Sequence, residues 1–130
     1  MTNQIEDREY LGQKLLERGF RQWFLYLFRI VNGSEWKELN IHKKMFKQLQ
    51  KVINGESTRL NFNISPRSGK TTMAIWLVVY ALTMNPKSQI IYTSFNQDLL
   101  AQIAQQVAAI MQNPVYQALY PQYNITQSVE

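Results

Sequence analysis

Apolar positions along the chain fall into two kinds of spacing, three-and-four apart in some blocks and strictly alternating in others. From Ile5 to Val31 the spacing predicts mainly helix, broken or kinked at Gly12 and Gly19. This stretch is dense in rings (Tyr10, Phe20, Trp23, Phe24, Tyr26, Phe28). It reads as a helical layer packed on a core, or, if the rings are exposed, as a partner-docking surface. Asn32-Gly33 signals a turn. Asn40 is a suitable N-cap and Asn54-Gly55 a suitable helix stop. Between them Ile41, Met45, Leu49, Val52 and Ile53 share one helical face. Lys43, Lys44, Lys47 and Lys51 share the opposite one, so the segment is an amphipathic helix with a lysine stripe.

The pattern then changes. Residues Thr58 to Ile64 alternate, with Leu60, Phe62 and Ile64 on one side and Asn61 and Asn63 on the other, which predicts a strand. A short loop, Ser65 to Gly69, follows. Met73 to Leu82 is apolar on every face, as in a helix buried on more than one side. Asn85-Pro86 ends it. Gln89 to Thr93 predicts a second short strand. Ser94 or Asn96 can cap a further helix reaching about Gln112 and stopping at Asn113-Pro114. Strand, loop, buried helix, strand, helix is the rhythm of an α/β protein with a parallel sheet.

Composition narrows the class. The chain has 130 residues, 45% hydrophobic and 18% charged, enough for one globular core. It has no cysteine, which excludes disulfides, thiolate metal sites and cysteine nucleophiles. One histidine, His42, excludes a multi-histidine zinc site within the chain. No apolar run approaches the ~20 residues that span a bilayer, and the polar start is no secretory signal, so a soluble, intracellular protein is expected. The net charge of +5 is uneven: 13 basic and seven acidic residues lie up to Lys70, against one base and two acids beyond it. The basic half suits a polyanion or is simply a solvated helical face.

One loop carries chemistry. Ser65-Pro66-Arg67-Ser68-Gly69-Lys70-Thr71-Thr72 lies between the expected strand and the apolar helix, where a phosphate-binding loop belongs. A tight turn at a helix start aims backbone N–H groups at one point, and the helix dipole adds positive potential. Gly69 allows close approach to phosphate oxygens, Lys70 can reach the β- and γ-phosphates, and Thr71 can place its hydroxyl on Mg²⁺. Arg67 can lie beside the γ-phosphate and offset charge in the transition state. The full glycine pattern wants glycine where Ile64 stands. The plain alternative is a strand-to-helix turn with Lys70 in solvent.

These residues also resemble a family. The stretches 39–42, 52–56 and 59–71, with the Pro66-Arg67-Ser68-Gly69-Lys70-Thr71 loop, are similar to the start of large terminase subunits, the DNA-packaging ATPases of tailed bacteriophages. Many members carry Pro-Arg-x-Gly-Lys-[Ser/Thr] in place of the full glycine pattern. Asn85-Pro86, Ile90 to Ser94 and Leu99-Leu100-Ala101 extend the resemblance, which covers about Leu39 to Pro121.

The resemblance implies an ATP- and Mg²⁺-dependent motor that drives double-stranded DNA into a procapsid in the host cytoplasm. Portal, small terminase subunit and further copies of the chain would be its partners, and no membrane is implied. It implies a partial P-loop NTPase domain of the ASCE type over 39–130, behind an N-terminal helical segment, 1–38. Lys70 and Thr71 match the family's phosphate and Mg²⁺ positions, and Arg67 the loop arginine. His42 stands near the position of a side chain that holds adenine, although a helix-face histidine without a ligand fits as well. Catalysis would fall to Arg67 and Lys70, and nucleotide binding to Ser65, Pro66, Arg67, Ser68, Gly69, Lys70, Thr71, Thr72 and His42.

The family's water-activating carboxylates have no counterpart. Beyond Lys70 the only acids are Asp98 and Glu130. The expectation is therefore an N-terminal piece of a longer or split ATPase that by itself lacks hydrolysis. A non-catalytic DNA- or partner-binding module, using the lysine helix and the aromatic layer, is the alternative. A small-molecule kinase is a third, without a lid or acceptor-site signal.

Overall fold

A computed structural model describes residues 2–61, 69–87, 89–91, 93 and 97–121. Among the described residues there are six helices: α1 (Thr2–Glu17), α2 (Phe20–Asn32), α3 (Asn40–Ile53), α4 (Lys70–Met84), α5 (Gln97–Gln112) and α6 (Pro114–Leu119). The central element is α2, which packs against α1, α3, α4 and α6. Its Phe20, Trp23, Phe24 and Leu27 recur at three- and four-residue steps and are fully buried. Burying each such side chain contributes about 1.5–3 kcal/mol. The dense rings of this region are mainly core. Phe20, Trp23 and Phe24 interlock with Phe46 of α3 and with Trp76 and Tyr80 of α4. Tyr10 differs, standing 65% exposed on α1. Buried residues from both sides of residue 38 join in one cluster.

The expected break at Gly12 does not occur. Gly12 lies inside α1, where a Cβ would sit 2.5 Å from the Leu119 carbonyl oxygen of α6. Its missing side chain lets the two helices touch. Tyr120 then donates its hydroxyl to the Gly12 carbonyl (2.8 Å) while accepting from Trp23 Nε1 (2.9 Å). The break falls at Gly19. Having no side chain to cap α2, Gly19 leaves that task to α3, whose Gln50 Oε1 accepts from the Phe20 N–H at 2.8 Å.

Around α4 the polar groups of the core are satisfied in pairs. The Tyr80 hydroxyl donates to the Leu16 carbonyl at 3.1 Å. Thr83 Oγ1 donates to the Val79 carbonyl at 2.7 Å, so the 2.6 Å contact with Tyr116 uses the tyrosine proton. The chain beyond α5 forms a helix that the pattern did not foretell. Asn113 caps α6 by accepting from the Val115 N–H at 2.9 Å, and Pro114 supplies its first residue.

The α/β expectation is overturned, and with it the partial P-loop NTPase architecture. Among the described residues there is no strand. Residues 58–61 and 89–91 are irregular chain; Phe62, Asn63, Ile64 and Tyr92 lie outside the described residues. The physical reason is that alternation reports one-sided burial, not pairing. Leu60 is partly buried against the helical core, whereas Ile90 and Ile91 are 41% and 88% exposed. A strand also needs a neighbour for its backbone groups, and the places beside α4 are taken by α2 and α5.

Candidate functional site

The start of α4 is set by Gly69. Its φ of 84° places it in the left-handed region, and helical geometry begins at Lys70, with the Met73 N–H bonded to the Gly69 carbonyl at 3.0 Å. A side chain at this φ would be strained. Gly69 brings no capping side chain of its own, and the first-turn amides of a helix find no acceptor within it. The same end carries the positive pole of the helix dipole. Lys70 and Thr72 are partly buried and Thr71 is exposed. From Lys70 and Thr71 a groove of about 330 Å³ runs between α3 and α4 over Met45, Leu49, Ala74 and Leu77. Amides, one ammonium group and two hydroxyls at one helix start suit an anion. A Mg²⁺ bound to phosphate oxygens takes a protein hydroxyl and a carboxylate besides, and of these Thr71 offers the hydroxyl. Among the described residues no group of three His, Cys, Asp or Glu could hold a metal ion.

Behind Gly69 stand two rings. A Cβ on Gly69 would lie 2.5 Å from Trp36 Cη2, 3.0 Å from Trp36 Cζ2 and 3.7 Å from His42 Nε2. Trp36 comes from the link between α2 and α3. It meets Phe24 and Phe28 edge to face, with centroids 5.0 and 5.1 Å away, and His42 at 5.0 Å. His42 is 4% exposed. Its Nδ1 accepts from the Leu39 N–H at 3.0 Å, which leaves the ring proton of the neutral form on Nε2, towards the Gly69 turn. The ring is packed under Trp36 rather than presented at the surface. Leu39, not Asn40, is the N-cap of α3.

The residues singled out in the sequence thus divide. Gly69, Lys70, Thr71 and Thr72 share the first turn of α4, and His42 lies beside Gly69. Ser65, Pro66, Arg67 and Ser68 lie outside the described residues, as do Ser94 and Asn96. Lys43, Lys44, Lys47 and Lys51 are all exposed on α3, a helix without an acidic residue. The buried face of α3 is His42, Met45, Phe46 and Leu49, whereas Ile41, expected inside, is 38% exposed. Asp98 is exposed in the first turn of α5. Trp36 was missed: a lone aromatic in a polar link has no period to mark it.

No helix among the described residues is long and apolar enough to cross a membrane. Comparison with protein-family models, curated proteins and solved structures finds no match.

Proposed function

We propose that this chain binds the triphosphate of Mg²⁺·ATP at the start of α4, as the ATP-binding part of a large terminase subunit that drives double-stranded DNA into procapsids. The observation that supports the reading is Gly69. It is a left-handed glycine that hands the chain into a helix beginning with Lys70 and Thr71, the order in which a Gly-Lys-Thr loop presents its groups to phosphate. In this reading the first-turn amides and the dipole hold the β-phosphate. The Lys70 ammonium neutralises the γ-phosphate oxygens as a point charge. The Thr71 hydroxyl completes the Mg²⁺ shell. Arg67 is the candidate for offsetting charge beside the γ-phosphate in the transition state, and Ser65, Pro66 and Ser68 are further candidates for nucleotide binding. Hydrolysis also needs a carboxylate that activates water, a role for which neither Asp98 nor Glu130 has been cast. Titration calorimetry with Mg²⁺·ATP tests the reading. Lys70→Ala is expected to weaken binding by about tenfold or more, since it removes a charge-assisted contact. Equal affinity in wild type and variant would remove it.

A second reading is favoured by α3, whose four exposed lysines lie within about a third of the helix circumference and along about 12 Å of its axis. That surface fits the phosphates of a duplex. Affinity for DNA should then fall with salt at a log–log slope of about −3 to −4, flatten when the four lysines become Gln, and be unchanged in Lys70→Ala. A slope near zero in the wild type discards this reading.

A further inference from the structure

Glycine tolerates a left-handed conformation but does not choose it: free in the chain, it samples both signs of φ. Something else must hold Gly69 at 84°. The space on its Cβ side is filled by the edge of the Trp36 indole, 2.5 and 3.0 Å from where a Cβ would be. That edge cannot easily retreat. Phe24, Phe28 and His42 brace the ring. Two residues further along the link, Glu38 grips Arg21 of α2 through both carboxylate oxygens at 2.9 and 3.0 Å. Trp36 has a second peculiarity. Its Nε1 is buried and without a hydrogen-bond partner, the one such side-chain atom among the described residues. Buried donors left this way cost free energy and call for a reason. In an indole, Nε1 and Cζ2 are bonded to the same carbon, so the unpartnered donor lies two bonds from an atom that meets Gly69.

We propose that Trp36 is the positioning residue of the phosphate turn. Its ring holds Gly69 left-handed, so that α4 opens at Lys70, and the ring, packed on Gly69, responds when an anion binds at the first turn of α4. This rests on the nucleotide reading above. Trp36 touches no phosphate; it acts through Gly69. Occupancy of the turn is thereby transmitted to the α2–α3 link.

The test uses the indole N–H signals of the ¹⁵N-labelled chain, which has three tryptophans. Trp36→Phe assigns the Trp36 signal. Mg²⁺·ATP and pyrophosphate should both displace it, whereas adenosine should leave it in place. The Trp23 signal, already bonded to Tyr120, should stay put throughout. In calorimetry, Trp36→Ala should weaken Mg²⁺·ATP by about tenfold or more, with Trp36→Phe recovering most of the loss. Tyr80→Phe, which alters the core away from Trp36 and Gly69, should bind as the wild type does. Calorimetric binding with a stationary Trp36 signal, or wild-type affinity in a folded Trp36→Ala, overturns this proposal alone. No binding of Mg²⁺·ATP to the wild type overturns the nucleotide reading, and this proposal falls with it.

Discussion

Helices α3 and α4 flank the same glycine turn but carry opposite kinds of information. On α3, four lysines point outward and His42, Met45, Phe46 and Leu49 point inward. Its charge therefore says which way the helix faces. On α4 nothing polar breaks the pattern between Met73 and Leu82. Met73, Ile75, Trp76, Val79, Tyr80 and Thr83 are buried, and Ala74, Leu77, Val78, Ala81 and Leu82 are partly covered. An all-apolar helix announces that it will be enclosed without naming its neighbours. A sheet and a ring of helices satisfy it equally, because the hydrophobic effect is non-directional. The difference teaches that polar positions set orientation, while apolar ones set only depth.

Three measurements would break or sharpen this contrast, each read from chemical denaturation. The largest effect belongs to Trp76, which is 2% exposed and meets Trp23 and Phe24 edge to face at 5.8 and 5.9 Å. Trp76→Ala should cost about 3–5 kcal/mol. A loss below about 1 kcal/mol would mean that α4 is not enclosed as described.

Next comes Tyr80→Phe, which removes the hydroxyl bonded to Leu16 and should cost about 1 kcal/mol near neutral pH. Burial holds the Tyr80 phenol above its ordinary value of 10.0. The neutral form is thus favoured in the fold. That stabilisation is whole below the unfolded value and is lost as pH climbs through the folded one. The wild type should accordingly lose stability on the alkaline side of about pH 10 more steeply than the phenylalanine variant. Parallel curves would contradict it.

The smallest effect is on α3. Lys43→Gln, Lys47→Gln and Lys51→Gln should each shift stability by no more than about 0.5 kcal/mol. A larger loss would show that the lysine face is engaged within the fold.

Much of the helical skeleton was legible. The lysine stripe, the stops at Asn32-Gly33 and Asn54-Gly55, and the helix end near Gln112 all follow from local chemistry and match the observed boundaries. The errors came where local chemistry underdetermines the answer. Leu60 and Ile90-Ile91 carried a strand-like pattern too short to distinguish a paired strand from a chain lying along helices. Gly12 has the sequence look of a break, yet its role is set by Leu119, far away in the chain. Of the candidate site, the glycine and the helix it starts were readable from Gly69-Lys70-Thr71. The Trp36 platform behind them was not, because it exists only once the α2–α3 link folds back on the turn.

The clasp of Tyr120 on Gly12 and Trp23 also bears on how the protein comes into being. Its hydrogen bonds span 108 and 97 residues. On a ribosome α1 emerges before α6, and the Tyr120 that clasps it is made more than a hundred positions after Gly12. Until then Gly12 of α1 has no Leu119 to lie against. The seat of α1 is thus a non-local contact, completed only once the chain through Tyr120 has been made.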